Sequence, residues 1–320
     1  MHELSKQDYV TKEDLATHFR EHFSLKNLPT PPELESPENF IYLKDKVVDI
    51  DETPPNAKEI KTALNSFKNN KSFGTDKLPS EGLKYQNSQI LLSYLVILLS
   101  LIWRTVTIPK QWLENHMTCL YKKGQRTLAE NYRALSVGST LSKLVPLIIL
   151  KRLQNSYETN ISDEQFGFRN DRSTCDAIFI LKNVIQKYGK EFMIVFIDLT
   201  AAYDHIPHTL LFKVLKLRTE SKILTNIIKK MYEGTFAKIP GCKTIIEILC
   251  GCRQGGIESP TLFNYYFDYV LKICASEIDM VFPDGAGLSF QYLIPIQCTN
   301  REQRRAYKMN GEKLIKLLLI

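Results

Sequence analysis

The sequence has seven cysteines but no C-x-x-C pair, and no secretory signal opens it. An odd cysteine count without such pairs is typical of reduced thiols. We therefore expect an intracellular protein of the nucleus or cytoplasm, not secreted and without a disulfide-linked partner. Cys242, Cys250 and Cys252 lie close together in sequence, but no second close pair or His-x-His completes a zinc set. Small buried residues beside a turn are the favoured interpretation of these cysteines.

Long apolar runs are also absent. A helix that crosses a bilayer needs roughly 20 apolar residues. The longest stretch here, Ile90–Trp103, reads ILLSYLVILLSLIW and is shorter than that. We interpret it as a buried core helix and expect no membrane partner.

Acidic residues are sparse in the later part of the chain. Residues 101–320 hold 30 Lys+Arg against 20 Asp+Glu, whereas residues 1–100 hold 12 against 15. A basic excess of this kind fits a polyanionic partner such as nucleic acid. Many proteins of this size are equally basic, so the charge alone does not identify the partner.

One proline-rich segment interrupts the chain near its start. Residues 1–25 are compatible with a helix, and residues 28–56 contain six prolines, which break regular structure. We interpret 1–55 as an N-terminal extension and connector, and 56–320 as the main domain.

Apolar periodicity predicts both helices and strands after residue 56. The expected helices begin at Asn56 or cover Glu81–Arg104, Leu135–Leu153, Pro207–Leu217 and Ser259–Cys274. The expected strands are Met117–Lys122, Met193–Ile197 and Leu314–Ile320, with a hairpin over Ala237–Cys252.

The segment FIDLTAAYD, Phe196–Asp204, is the strongest local signal. Asp198 follows the apolar run Met193–Ile197, so its carboxylate is placed at the tip of a predicted buried strand. Enzymes of phosphoryl transfer hold divalent ions with such carboxylates. Alternatively, Asp198 only caps the helix that follows.

The segment GCRQGGIESPTLFN, Gly251–Asn264, is the second signal. Paired glycines allow close approach of a substrate to the backbone, and Arg253 and Gln254 supply planar donors. Ser259 and Pro260 are typical of a helix start. The alternative is an ordinary junction between a loop and a helix.

These two segments resemble motifs A and B of reverse transcriptases. Three further stretches are similar, in order, to the non-LTR (LINE-like) retrotransposon branch of that family: GTDKLPSEGLK (74–84), IPKQWLENHMTCLYKKGQRTLAENYRALSV (108–137) and QFGFRNDRST (165–174). The five matches cover roughly residues 56–275. The resemblance implies an α+β (mixed α/β) right-hand polymerase with fingers at about 56–190 and a partial palm at about 191–320. It also implies an antiparallel palm sheet and RNA-directed DNA synthesis from an RNA template, a DNA primer and deoxynucleotides.

The resemblance also assigns roles to individual residues. Asp198 would be catalytic and, with the Leu199 carbonyl, would bind Mg²⁺ (or Mn²⁺). Tyr203 would exclude the ribose 2′-hydroxyl by steric contact. The remaining nucleotide contacts would be Lys122, Lys123, Arg133, Gln254 and Gly255. Nucleic acid would be contacted by Arg169, Arg172 and Arg253.

Purely structural roles remain alternatives for these residues. Lys122 and Lys123 fit a solvated turn, and Tyr203 fits a core position. Arg169 and Arg172 fit ion pairs with acidic neighbours, namely Asp163, Glu164 or Asp171. Asp204 recurs in the family motif and is interpreted as structural.

The sequence departs from the family at motif C. That motif, a Tyr/Phe-x-Asp-Asp turn, supplies further carboxylates, but no Asp-Asp pair occurs anywhere in the 320 residues. The apolar run that would lead into it ends at Ile320, and no thumb is expected. Ala134 also replaces the usual proline. We therefore expect a truncated domain with little or no activity, an incomplete palm sheet and an unpaired edge at Leu314–Ile320. The alternatives are a nucleic-acid-binding remnant and an unstable fragment.

Overall fold

The computed structural model describes residues 9–24, 46, 48–85, 88–188, 193–197, 199, 201–281 and 315–319. Nine α-helices fall within these ranges: α1 Lys12–His22, α2 Ala57–Asn65, α3 Ser80–Lys84, α4 Gln89–Thr105, α5 Leu144–Asn160, α6 Thr174–Tyr188, α7 His208–Thr219, α8 Lys222–Tyr232 and α9 Ser259–Val281. Six strands accompany them: β1 Glu114–Tyr121, β2 Tyr132–Gly138, β3 Met193–Ile197, β4 Phe236–Lys238, β5 Ile245–Glu247 and β6 Ile315–Leu319. The predicted mixture of helices and strands is confirmed.

The strands form two sheets. The first has the order β2-β1-β4-β5, in which β1 pairs antiparallel with β2 and parallel with β4, while β4 and β5 form the predicted hairpin. The second sheet pairs β3 with β6 in parallel, Val195 opposite Leu317. An antiparallel palm sheet was expected within about 191–320; there the β4–β5 pairing is antiparallel, but the β3–β6 pairing is parallel and departs from that expectation. The strand predicted at the end of the chain is present as β6. It pairs with β3 along one edge, whereas an unpaired strand was expected.

Two helical predictions need correction. Residues 135–138, expected to begin a helix, belong to β2, because their backbone groups pair with β1 through an antiparallel ladder that includes Thr118 opposite Leu135. The helix predicted over Glu81–Arg104 is divided into α3 and α4, with Ser88 as the N-cap of α4. Strand pairing sets the boundary at residues 135–138, and the Ser88 cap sets the start of α4. The spacing of apolar residues carries no information about either boundary.

Helix α4 is buried on one face only. Leu95, Leu99 and Ile102 lie in the main core, whereas Ile90 and Tyr94 on the opposite face are 70% and 68% exposed. The predicted core helix is therefore present, but it is buried on one face only. No helix in the described ranges is long and apolar enough to cross a membrane.

The helices share one main core. It combines buried side chains of α2, α4, α5, α7, α8 and α9, with Ile60, Leu99, Leu144, Ile149, Leu211, Ile227 and Leu262 among its most buried members. Helix α2 begins at Asn56, where the Asn56 side chain accepts from the Glu59 N–H and the Glu59 carboxylate accepts from the Asn56 N–H. Arg152 of α5 then binds Glu59 at 2.8 Å and so fixes α2 against α5.

A smaller core lies between α1 and the first sheet. Helix α1 contributes Leu15, Ala16 and Phe19, and the sheet contributes Met117, Ala134, Ala237 and Ile246. Helix α1 therefore packs against the main domain, although it lies in the segment interpreted as an N-terminal extension. The proposed domain boundaries remain a prediction.

Candidate functional site

The two loops that carry the strongest sequence signals lie side by side. We call residues 201–207 the A loop and residues 250–258 the B loop. The Cys252 N–H donates to the Tyr203 carbonyl at 2.7 Å, and the Gly251 N–H donates to the Ile206 carbonyl at 2.8 Å. Pro207 and Cys250 add an antiparallel bridge. Backbone hydrogen bonds therefore join the two loops directly.

Gly251 is required for this contact. Its φ of +82° lies in the left-handed region that favours glycine. A Cβ atom at this position would lie 2.8 Å from the Tyr203 carbonyl oxygen and 2.8 Å from Asp204 Cα. The B loop can approach the A loop so closely only because residue 251 has no side chain.

Strand β2 holds the B loop from the other side. The Ser136 N–H donates to the Gln254 carbonyl at 2.8 Å. Gly255, with φ +103°, passes so close to β2 that a Cβ would lie 2.9 Å from the Ser136 oxygen. The B loop is thus fixed between β2 and the A loop, and it presents the exposed Gly255 between them.

A buried ion pair organises the interior of the B loop. The Arg253 guanidinium binds Glu258 Oε1 at 2.6 Å through Nη2, and the Tyr232 hydroxyl donates to the same oxygen at 3.1 Å. Arg253 also lies over the Tyr232 ring, 4.7 Å from its centroid. Burial acts to lower the pKa of Arg253, but the Glu258 carboxylate raises that pKa above its ordinary value. Arg253 therefore stays charged inside the protein.

The start of α7 gives the B loop another support. His208 Nε2 lies 2.8 Å from the Gly251 carbonyl, so this nitrogen carries the donated proton. Burial lowers the pKa of His208, and the hydrogen bond to Gly251 opposes this effect. A neutral imidazole is enough for the contact.

Tyr203 of the A loop lies on an aromatic surface. Its ring stacks on Phe263 of α9, with centroids 4.7 Å apart and planes at 7°, and it meets the edge of Phe168 at 6.2 Å. Burial raises the pKa of its hydroxyl well above the ordinary value. The ring is therefore held in one orientation and stays un-ionised.

Asp204 connects the A loop with two other segments. Its Oδ1 accepts from Gln254 Nε2 at 2.5 Å, and its Oδ2 lies 3.2 Å from Nε2 of His22 at the end of α1. The carboxylate is 11% exposed. Gln254, the predicted nucleotide contact, is therefore brought together with both the A loop and α1.

The predicted phosphate-binding cations lie at the β1–β2 turn. Lys122, Lys123 and Arg133 are all exposed. The Lys122 N–H donates to the Asn131 carbonyl at 2.8 Å, which closes the turn. Arg133 lies three residues before Ser136 on β2, the strand that contacts the B loop.

Two arginines predicted to contact nucleic acid form ion pairs within the protein. Arg169 is 4% exposed and binds Glu158 at 3.1 Å and the Ser162 carbonyl at 2.9 Å. Arg172 is 34% exposed and binds Asp163 at 2.9 Å, one of the pairings anticipated from the sequence. Their contact with nucleic acid, like that of the paired Arg253, remains a prediction.

The predicted metal ligands are only partly described. Asp198 lies outside the described residues, and Leu199 is 41% exposed. Among the residues that are described, no three His, Cys, Asp or Glu side chains are grouped so that they could hold a metal ion. This search does not bear on Asp198.

Sequence analysis missed His22, His208 and Glu258 as members of this site. Glu258 had a signal, since it is the one acid within the quoted B-loop segment. His22 had none, because its partner Asp204 is 182 residues away along the chain.

Comparison with known proteins identifies the family to which both loops belong. Residues 120–290, more than half of the chain and including both loops, match the family described as reverse transcriptase (RNA-dependent DNA polymerase). The chain belongs to this family.

Several curated proteins that are similar to this chain come from retrotransposons and group II introns. The chain is 30% identical over 223 residues to a probable RNA-directed DNA polymerase from transposon BS of Drosophila melanogaster, covering 67% of this chain and 24% of the relative. It is 29% identical over 181 residues to a Pol polyprotein from the type-2 retrotransposable element R2DM of the same organism, covering 55% and 16%. It is 26% identical over 195 residues to the group II intron-encoded protein LtrA of Lactococcus lactis, covering 60% and 31%. The recognition of a non-LTR-type reverse transcriptase domain is confirmed.

The chain spans less than a third of the length of each of these relatives.

Replacement of Glu258 tests the buried ion pair. Glu258→Gln leaves the Arg253 charge buried without its counter-charge, so we expect a loss of about 3 kcal/mol or more in the free energy of unfolding. The control is Glu233→Gln, which removes an exposed carboxylate paired with Lys230 and should cost at most about 1 kcal/mol. Urea unfolding midpoints measure both. Equal shifts for the two variants would contradict the assigned role of the pair.

Proposed function

We propose that this chain is the nucleotide-binding and template-binding part of an RNA-directed DNA polymerase. Its ligands are an RNA template, a DNA primer and deoxynucleotides. The observation that carries the proposal is the junction of the A loop with the B loop. Two segments 50 residues apart, each matching a reverse transcriptase motif, are joined by direct hydrogen bonds, and Asp204 binds Gln254 across them.

The arrangement supports a division of labour among the site residues. Tyr203 presents a flat, immobilised ring that would exclude a ribose 2′-hydroxyl. Gln254 and Gly255 would line the space next to that ring. Lys122, Lys123 and Arg133 are exposed cations suited to a triphosphate, because charge-assisted hydrogen bonds to phosphate are strong.

The proposed architecture keeps the family's division. Residues from about 56 to 190 form the fingers, residues from about 191 to 320 form part of the palm, and α1 belongs to an N-terminal extension that packs on the first sheet. The four-stranded sheet supports the β1–β2 turn, and the A loop follows β3.

A divalent metal ion completes the proposal. The Asp198 carboxylate and the Leu199 carbonyl supply oxygen atoms, the ligand type that Mg²⁺ prefers, and Mn²⁺ accepts it as well. When bound, the ion would neutralise charge that develops on the transferred phosphoryl group. Asp204 is not part of this set, because both of its oxygens are engaged by Gln254 and His22.

A second candidate function is binding of nucleic acid without extension of the primer. The observation in its favour is the absence of an Asp-Asp pair from the 320 residues. Two-metal catalysis uses several carboxylates to hold both ions. We propose that a polypeptide of these residues binds its ligands but needs an added Tyr-x-Asp-Asp segment to extend a primer.

Primer extension on an RNA template with Mg²⁺ separates the two candidates. The forms to compare are these 320 residues, a version continued through a Tyr-x-Asp-Asp segment, and the Asp198→Ala variant of each. We expect extension only by the continued version with Asp198 intact. Extension by the 320 residues, abolished by Asp198→Ala, would refute the need for the second carboxylate pair. Absence of primer extension by every form would contradict the polymerase proposal.

Charge removal at the β1–β2 turn tests the nucleotide site. We expect Lys122→Ala/Lys123→Ala to weaken deoxynucleotide binding to the complex with template and primer by about tenfold or more, the cost of one or two charge-assisted hydrogen bonds. Lys229→Ala/Lys230→Ala removes the same charge from α8, where both lysines pair with Glu233, and should change it less than about twofold. Equilibrium binding with a chain-terminated primer measures both. Equal losses of deoxynucleotide affinity in the two variants would contradict a specific contact at the β1–β2 turn, because net charge alone would then explain the effect.

A further inference from the structure

The Asp204 carboxylate joins two segments that are distant in sequence. Gln254, 50 residues away, donates to one oxygen at 2.5 Å, and His22, 182 residues away, contacts the other at 3.2 Å. A carboxylate only accepts hydrogen bonds, so His22 Nε2 is the donor. Because each oxygen has its own partner, the carboxylate cannot rotate without losing both contacts.

This contact fixes the direction of the Gln254 amide. Only the NH₂ group of glutamine can donate to Asp204, so the amide oxygen must point away from it. No residue in the described part of the chain bonds this oxygen, and Gln254 is half-buried beside the exposed Gly255. The amide oxygen and the second N–H are therefore held in a set direction next to the accessible part of the B loop.

Helix α1 fixes the position of His22. Three of its side chains are buried against the first sheet: Leu15, Ala16 and Phe19. At one end Lys12 Nζ donates to the Pro240 carbonyl at 2.7 Å, and just beyond the other end the Leu249 N–H donates to the Phe23 carbonyl at 3.2 Å. His22 is thus held by the packing of a helix that lies outside the residues matched to the family.

We propose that His22 is a positioning residue for the nucleotide site. Through Asp204 it sets the direction of the Gln254 amide, which makes α1 a working part of that site. The expected effect of His22 on deoxynucleotide affinity rests on the proposed function. Its structural content, the dependence of Gln254 on His22, can be measured separately.

The test compares substitutions in the full chain. His22→Phe keeps an aromatic ring but removes the donor, whereas His22→Gln keeps an N–H at similar reach. His18→Phe is the matched control, because it is the same exchange one turn earlier at a ring with no described hydrogen bond. The first readout is the side-chain NH₂ signal of Gln254 in nuclear magnetic resonance spectra, identified by its absence in Gln254→Glu. The second is deoxynucleotide affinity in the presence of template and primer.

We expect His22→Phe to displace the Gln254 signal and to weaken deoxynucleotide binding by about two- to tenfold, the effect of one lost hydrogen bond. Affinity for template and primer should not change. His22→Gln and His18→Phe should match the unaltered chain in both readouts. An unmoved Gln254 signal in His22→Phe, or equal displacement in His18→Phe, would overturn the inference. If the unaltered chain binds no deoxynucleotide while the signal still moves, the proposed function fails and the positioning role of His22 stands.

Discussion

The rest of the site depends on two backbone hydrogen bonds between the A loop and the B loop. The Gly251 and Cys252 amides reach the Ile206 and Tyr203 carbonyls, and the missing side chain of Gly251 makes this approach possible. Segments from different parts of the chain thereby present Tyr203 and Gln254 together. Without this contact, a reverse transcriptase motif would be present in each loop but no common surface would exist.

Elements on every side of the B loop support this junction. Strand β2 binds the Gln254 carbonyl, the Arg253–Glu258 pair occupies the interior, and His208 caps the Gly251 carbonyl. A buried pair of charges contributes little net stability, but it strongly disfavours arrangements in which either partner is left alone. The B loop is therefore specified in one conformation. Helix α1 extends the same system to the N-terminal segment through Asp204, which the sequence had suggested to be merely structural.

Local features of the fold and site were predictable, and long-range partners were not. The capping residue Asn56, the apolar run of β3 and the glycines of the B loop carry their information in neighbouring residues. The helical prediction for residues 135–138 failed because a strand is decided by its partner, here β1. Likewise the sequence allowed an ion pair for Arg169 but not with its actual partner Glu158, and it gave no partner for Arg253, which binds Glu258. The family resemblance found the segments, and only the structure shows which side chains within them are already occupied.

Native-state hydrogen exchange at the Gly251 and Cys252 amides tests the junction most directly. If these two hydrogen bonds hold the loops together, both amides should exchange as slowly as those of the buried helix α7, through large-scale opening of the protein. Exchange as fast as that of the exposed turn residue Lys123 would contradict the account, because the A and B loops would then separate freely in the folded chain.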